Sequence, residues 1–207
     1  MYIPERFRAT EREQIVEVMR RHPFASVVTA QEGVPFATHV PLLVGEGEEG
    51  EVILRGHLAR LNPHCSALTQ GAEVLVIFQG ADAYISPSWY VNHPSVPTWN
   101  YMAVHAYGRA RVLEGEALRL LMLEAIAIFE AGVDEDWKPE FTEEYWERML
   151  NGVVGFEIRV TRLEGKFKLS QNRSQEEREI VGAALRRQEE PTEGAEMADW
   201  IERLETD

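Results

Sequence analysis

Runs of apolar and β-branched residues fill the chain from residue 24 to about residue 113, and turns rich in Gly, Pro and Glu separate them. Within the runs, apolar and polar positions tend to alternate, which is the period of a β-strand with one buried face. The pattern predicts strands in segments 24–30, 34–44, 51–59, 72–86, 99–113 and 153–169.

Apolar residues at helical spacing predict α-helices in the remaining segments. Thr10 and Glu13 have the spacing of a capping box at a helix N-terminus, and so do Ser174 and Glu177. Segment 61–72 predicts a short helix or a turn. The other helices are expected in segments 11–22, 115–132, 142–150, 175–188 and 197–205.

Consecutive strands with local connections favour an antiparallel barrel, closed or split, over a parallel α/β sheet. We therefore predict a mainly β protein with peripheral helices. A barrel of this size fills its interior with its own side chains. A ligand is then expected at a mouth of the barrel, at a split, or between subunits.

Of the 207 residues, 44% are hydrophobic and 27% are charged, which is the balance of an ordinary globular protein. The formal net charge of −14 would repel nucleic acid phosphates and anionic lipids. We therefore expect no membrane association, and direct DNA binding is disfavoured. Cys65 is the single cysteine, and the N-terminus has no signal-peptide pattern, which predicts a cytoplasmic protein.

Negative charge is concentrated towards the C-terminus. Residues 174–207 contain eleven acidic and four basic residues, which is half of the net charge of the chain. We predict a main domain over residues 1–173, which includes the N-terminal and covering helices. Residues 174–207 are predicted to form an acidic helical segment that packs on the barrel or extends from it.

His57, Arg60 and Asn62 lie where a predicted strand ends. An imidazole, a guanidinium and an amide within one turn of chain can bind an anion through charge-assisted hydrogen bonds. The alternative is structural: Arg60 pairs with a carboxylate at the surface, and Asn62 caps the turn that follows.

Trp99 and Tyr101 lie in a segment that Pro94 and Pro97 stiffen. Aromatic rings on such a segment suit a flat ligand or a subunit interface. Asn100 places hydrogen-bonding groups between the two rings, which favours recognition over a purely structural aromatic cluster.

Lys168, Gln171 and Asn172 belong to a polar run directly before the helix that Ser174 is expected to cap. Positively charged side chains and helix N-termini both attract anions. The alternative is a solvated loop that leads into the helix.

His39, His57 and His105 are candidate metal or haem ligands, because imidazole is a common metal ligand. The three histidines lie on different predicted strands and lack the spacing of metal-binding motifs, so we predict no metal site. Motifs of nucleophilic catalysis are also absent from the sequence, and no catalytic residue is identified.

Five motifs occur in order along the chain: MYIPERF, GHLARLNP, AYISPSWY, VPTWNYMAVHAYG and KLSQNR. In these motifs the chain resembles the PaiB family, described as FMN-binding negative transcriptional regulators, within the FMN-binding split-barrel superfamily that includes pyridoxamine phosphate oxidases. The resemblance implies a six-stranded antiparallel Greek-key split barrel. It also implies a homodimer with FMN in clefts between the two subunits.

The resemblance further implies roles for individual residues. Thr38 and His39 would face the isoalloxazine ring, while His57, Arg60 and Asn62 would bind the ribityl chain and the phosphate. The partner subunit would contribute Trp99, Asn100 and Tyr101. The C-terminal side of the site would be closed by Lys168, Gln171 and Asn172.

The implied flavin could serve a redox-linked regulator or a small FMN-dependent oxidoreductase with an unidentified small-molecule partner. Two other interpretations stay open, namely a regulator that binds a protein partner without flavin and a haem-binding split barrel. The sequence contains no helix-turn-helix with a basic recognition helix and no equivalent of the pyridoxal-phosphate recognition residues of the oxidases.

Overall fold

The structure is a computed structural model that describes residues 1–131, 133, 137–187 and 193–204. It is a mixed α/β protein with a large antiparallel sheet. The strands are β1 (Arg8–Ala9), β2 (Phe24–Gln31), β3 (Val34–Pro41), β4 (Leu43–Glu46), β5 (Val52–Ala59), β6 (Glu73–Ile85), β7 (Thr98–Leu113) and β8 (Val153–Lys168).

The α-helices of the described chain are α1 (Arg12–Arg21), α2 (His64–Thr69), α3 (Gly115–Phe129), α4 (Glu143–Asn151), α5 (Gln175–Arg186) and α6 (Glu193–Arg203). Short 3₁₀ turns lie at Glu5–Phe7 and Pro87–Trp89. None of the helices that the structure describes is both long and apolar enough to cross a membrane.

The strands pair in the order β3-β2-β6-β7-β8-β5-β4, and β1 pairs with β8. The described sheet thus has eight strands where six were expected. Six of the eight are at least eight residues long, whereas β1 has two residues and β4 has four. The sequence did not predict the short strands as separate elements, because two or four residues are too few to show an alternating pattern. The expectation of a mainly β protein also changes, because the helices are a major part of the fold.

The chain divides into two compact units, and β6, β7 and β8 each pass from one to the other. The first unit contains Met1–His22, Phe78–His105 and Glu164–Asp207. The second unit contains Pro23–Ile77 and Ala106–Leu163. The helices α5 and α6 therefore group with the N-terminus and with the middle of the chain. The predicted boundary at residue 173 stays a prediction.

In the second unit, the alternation of the strands places one row of side chains in the core. Leu54, Phe156 and Ile158 are fully buried in this way. Helix α3 covers part of this core with Leu121, which clusters with Leu113 of β7. Strands β7 and β8 approach so closely at Gly108 that a Cβ there would lie 2.1 Å from the Arg159 carbonyl oxygen. Gly108 is therefore required by the sheet itself.

In the first unit, helices α1, α5 and α6 are amphipathic and bury their apolar faces. Met19 of α1 and Val181 of α5 have no exposed surface, and Trp200 of α6 is 2% exposed. The Trp200 ring packs edge to face on Phe167 of β8, with ring centroids 5.4 Å apart. The C-terminal helices thus belong to a packed core.

The two predicted capping boxes have different outcomes. Ser174 caps α5, because its Oγ accepts a hydrogen bond from the Glu177 backbone N–H at 3.3 Å. Thr10 does not cap α1. The residue at the N-cap is Glu11, and the Thr10 hydroxyl instead donates to the Glu11 carboxylate at 3.2 Å.

Candidate functional site

The eleven residues predicted to bind a cofactor fall into two groups, one in each unit. The second unit holds Thr38, His39, His57, Arg60 and Asn62. The first unit holds Trp99, Asn100, Tyr101, Lys168, Gln171 and Asn172. Their role as cofactor ligands stays a prediction, and the structure shows what each side chain contacts.

Thr38 and Asn62 meet in a partly buried polar network in the second unit. The Asn62 Nδ2 donates to Thr38 Oγ1 at 3.3 Å, and Thr38 Oγ1 also lies 3.0 Å from His64 Nδ1. The other ring nitrogen of His64, Nε2, lies 3.0 Å from the hydroxyl of Thr29. The two ring nitrogens of His64, the first residue of α2, thus contact hydroxyls on the neighbouring strands β2 and β3.

His64 was not among the predicted site residues. Its side chain is fully buried, and the edge of the Phe36 ring packs against it with centroids 5.1 Å apart. Burial lowers the pKa of His64 below its usual 6.5, so the imidazole is neutral at physiological pH. The sequence gives one signal for this residue: a histidine directly after Asn62 and Pro63, at the start of a helix.

His39 and His57 have different surroundings. His39 is exposed on β3, where its Nδ1 lies 2.9 Å from the Ser26 hydroxyl and its ring stacks loosely on Phe24. His57 is half-buried on β5, and desolvation lowers its pKa below 6.5. A neutral His57 can donate or accept a hydrogen bond but brings no positive charge to an anion.

Arg60 is exposed, and its guanidinium holds the C-terminal end of α4. Its Nε donates to the Asn151 carbonyl oxygen at 2.7 Å, and its Nη2 donates to the Val153 carbonyl oxygen at 2.8 Å. The contact with Asn151 satisfies a carbonyl group that the helix end leaves free, and the contact with Val153 holds the start of β8. Among the described residues the Arg60 Nη1 has no hydrogen-bond partner, so one nitrogen of the fork can still meet an anion. The side chain also lines a cavity of about 390 Å³ beside Leu118 and Leu150.

In the first unit, Asn100 is buried and bound within its own chain. Its side chain has no exposed surface, and its Nδ2 donates to Ser170 Oγ at 2.9 Å. Asn100 was predicted to reach a cofactor from a partner subunit. In the structure its amide is already hydrogen-bonded to Ser170 of its own chain.

Aromatic rings and lysines share one face of β6, β7 and β8 in the first unit. We call this the aromatic–lysine surface. Its exposed rings are Tyr2, Tyr84 and Trp99, which are 83%, 45% and 53% exposed. The Tyr84 and Trp99 rings meet edge to face at 6.0 Å. The surface is completed by Tyr101, Lys166 and Lys168.

The lysines of this surface are held in place by the rings and the backbone. The Lys166 ammonium lies 5.0 Å from the Tyr101 ring centroid and 5.7 Å from that of Tyr2, which is cation–π distance. The Lys168 Nζ donates to the Thr98 hydroxyl and, at 2.7 Å, to the Trp99 carbonyl oxygen. Desolvation, and then the charge of Lys166, lower the pKa of Lys168 below its usual 10.5.

Gln171 shapes the loop after β8. Its amide oxygen accepts from the Leu169 backbone N–H at 2.8 Å, and its amide nitrogen donates to the Phe167 carbonyl oxygen at 2.6 Å. Ser170 between them has a φ of 67°, in the left-handed region. Gln171 thus fixes an unusual turn, whereas the neighbouring Asn172 is exposed.

Two residues, Glu177 and Arg173, hold the loop before Trp99, and this role was not predicted from the sequence. Glu177 is buried, and its carboxylate accepts from the Asn92 backbone N–H at 3.1 Å, which lowers the pKa of Glu177 below its usual range. Arg173 lies over the Tyr90 ring at 3.8 Å and donates to the Ser95 hydroxyl at 3.3 Å. Helix α5 and the turn before it thus hold the loop that leads to Trp99.

Within the described parts of the chain, no group of three or more His, Cys, Asp or Glu side chains is placed to hold a metal ion. The polar groups described in the two units are hydroxyls, amides, imidazoles and cations. Such groups suit an organic ligand that carries carbonyl and phosphate oxygens.

A family described as "Putative FMN-binding domain" matches residues 1–162. The "Protease synthase and sporulation protein PAI 2" of Bacillus subtilis is 37% identical over 204 residues, which cover 98% of this chain and 97% of that protein.

Two solved structures show the same fold. The FAD and heme binding protein from Mycobacterium smegmatis has a TM-score of 0.59 and 20% identity, with 78% of this chain and 73% of that chain covered. The flavocytochrome Anf3 from Azotobacter vinelandii has a TM-score of 0.55 and 18% identity, with 78% and 69% covered. These two structures bear on the fold alone, whereas the family match and the relative from Bacillus subtilis confirm the resemblance of the sequence motifs at the level of the family.

Proposed function

Because the chain belongs to the FMN-binding domain family, we propose that it is an FMN-binding split-barrel protein that acts as a redox-linked regulator. The aromatic–lysine surface carries this proposal. It offers exposed aromatic rings and two cations on a chain whose net charge is −14. FMN presents a planar ring system and a phosphate, and needs both kinds of contact.

Each unit by itself offers contacts that suit a flavin. In the first unit, Trp99 and Tyr101 supply aromatic rings, Lys168 supplies a charge beside Trp99, and Lys166 supplies one beside Tyr101. In the second unit, the Thr38 hydroxyl can form a hydrogen bond, and the free nitrogen of Arg60 can donate one. Bound FMN would supply electron-transfer chemistry, and the protein would supply orientation and charge.

We further propose that the active form is a homodimer with one FMN at each interface, as the family resemblance implies. The exposed rings of Tyr2, Tyr84 and Trp99 support this, because exposed aromatic residues are enriched at subunit interfaces. The relative PAI 2 is named for protease synthesis and sporulation, and we propose a regulatory role for this chain by analogy. The acidic net charge favours regulation through a small molecule or a protein over direct contact with DNA. We place this activity in the cytoplasm, where the Cys65 thiol stays reduced.

The test is a visible absorption spectrum of the purified protein before and after addition of FMN, combined with size exclusion. We expect flavin bands that co-elute with a dimer and are released on denaturation. Riboflavin, which lacks the phosphate, should bind more weakly than FMN. A well-folded protein that takes up no flavin would contradict the proposal.

A matched pair of variants tests the surface itself. Lys168→Gln should weaken FMN binding about tenfold or more, because a charge-assisted contact contributes ~1.5–3 kcal/mol. The same variant should change riboflavin binding little. Lys138→Gln removes an equal charge from an exposed position in the second unit and should leave FMN binding unchanged. Turnover of an added electron donor by the loaded protein would identify an oxidoreductase instead of a regulator.

A further inference from the structure

The contacts of the Asn62 amide determine one of the hydrogen-bond directions at Thr38. The His64 backbone N–H lies 2.9 Å from an amide atom of Asn62. A backbone N–H is always a donor, so this atom is the amide oxygen, and the amide nitrogen must face Thr38. Asn62 therefore donates to Thr38 Oγ1, and one lone pair of that hydroxyl is occupied.

His64 then has two neutral arrangements, one for each tautomer. With hydrogen on Nε2, the ring donates to Thr29 Oγ1, and its Nδ1 accepts the hydroxyl proton of Thr38. With hydrogen on Nδ1, the ring donates to Thr38 Oγ1, and its Nε2 accepts the hydroxyl proton of Thr29. Both arrangements use the same two contacts of 3.0 Å, and both satisfy the buried ring.

The two tautomers leave Thr38 with opposite capacities. In the first, the Thr38 proton is bound inside the network, and only a lone pair is left for a ligand. In the second, both lone pairs of Thr38 are occupied, by Asn62 and His64, and its proton is free to be donated outwards. The tautomer of the fully buried His64 thus decides whether the half-buried Thr38 accepts or donates a hydrogen bond.

We propose that His64 is a positioning residue that adopts the Nδ1–H tautomer and so makes Thr38 a hydrogen-bond donor to the bound cofactor. The inference rests on the proposed function, because FMN presents mainly acceptors: carbonyl oxygens, ring nitrogens and phosphate oxygens. Thr29 is 2% exposed and accordingly acts as the inner partner that supplies a proton to Nε2. The neutral state that both tautomers need is favoured by burial of the ring.

The direct test is ¹⁵N NMR of histidine-labelled protein with and without saturating FMN, since the protonated and bare nitrogens of a neutral imidazole have distinct shifts. We expect His64 in the complex to carry hydrogen on Nδ1. An Nε2–H tautomer or a doubly protonated ring in the complex would overturn the inference while leaving FMN binding intact. No uptake of FMN by the wild-type protein would overturn the proposed function and this inference together.

A pair of substitutions separates positioning from packing. In His64→Asn the amide nitrogen can replace Nδ1 beside Thr38, whereas in His64→Gln the longer side chain replaces Nε2 beside Thr29. We expect His64→Gln to weaken FMN binding about tenfold and His64→Asn to weaken it less than about threefold. A purely structural role predicts the reverse order, because Gln fills more of the imidazole volume. If neither variant folds, the NMR result on wild-type protein decides.

Discussion

Asn100 and Ser170 satisfy each other inside the first unit, although they lie on separate segments of the chain. The Asn100 amide donates to Ser170 Oγ at 2.9 Å, and Ser170 Oγ lies 3.3 Å from Asn100 Oδ1, to which it can donate in return. Both side chains are buried, at 0% and 3% exposure. Residue 170 is thereby tied to the start of β7, next to Trp99 and Tyr101.

Asn100→Ala should therefore destabilise the protein. The substitution leaves the Ser170 hydroxyl buried without its partner, which costs about 1–3 kcal/mol of unfolding free energy. Urea denaturation checks this value. The matched variant is Asn100→Ala with Ser170→Ala, whose cost should be smaller than the sum of the two single costs. An unchanged denaturation midpoint in Asn100→Ala would show that the pair does not stabilise the fold.

Arg60→Ala should weaken two properties at once. It removes the donors that hold the carbonyl groups of Asn151 and Val153, so the thermal midpoint should fall. It also removes the free Nη1, so FMN affinity should fall about tenfold. Arg111→Ala is the control, because Arg111 is an exposed arginine of the same unit that pairs with Glu157. Loss of stability with unchanged FMN affinity would limit Arg60 to a role at the end of α4.

Stability should depend on pH through His57 and His64. Burial lowers the pKa of both side chains in the folded protein, whereas in the unfolded chain they titrate near pH 6.5. Below that pH the unfolded state binds more protons than the folded state does. The free energy of unfolding is therefore highest above about pH 6.5 with respect to these two groups, and it decreases as the pH falls towards the pKa of the folded state. The fall is at most about 1.4 kcal/mol per pH unit for each histidine.

Urea unfolding of wild type, His57→Asn and His64→Asn between about pH 7.5 and 5.5 measures this dependence. Each substitution should reduce the slope of unfolding free energy against pH. His93→Asn replaces an exposed histidine and serves as the control. A slope that none of the variants changes would assign the pH dependence to other groups.

Trp99 should report FMN binding through its fluorescence. Its ring is 53% exposed on the aromatic–lysine surface, where a bound flavin would quench it. Trp99→Phe should lose most of the quenching, and Trp99→Ala should weaken FMN binding about two- to tenfold through loss of ring contact. Trp137→Phe is the control, since that ring is 43% exposed in the second unit. Full quenching in Trp99→Phe would place the flavin elsewhere.

Regular elements follow from the sequence because their signals are local. The alternation in β8 and the helical spacing in α3 each extend over fifteen residues or more, so both are predicted close to their observed bounds. The cap at Ser174 is likewise local, because it joins two residues that are three positions apart. At Thr10 the same spacing fails, because its hydroxyl has a second partner in the adjacent Glu11.

The contacts of the candidate site do not follow in this way, because they join distant segments. His64 contacts Thr29 and Thr38 only after two strands have paired, and nothing in the sequence NPHC of residues 62–65 predicts which hydroxyls bond to the two ring nitrogens. Gln171 was expected to face a ligand, and its amide closes a turn. Residue type indicates that a side chain can bind a cofactor, while packing decides whether its polar atoms are free.

Strand β8 begins in the second unit and ends in the first, at Lys168, whereas the family match ends at residue 162. A chain shortened to that boundary for expression would stop inside the strand. It would lack Ser170, the hydrogen-bond partner of Asn100, and Glu177, the anchor of the Asn92 loop. The region that defines the family by sequence is therefore smaller than the region that must be produced to obtain an intact aromatic–lysine surface.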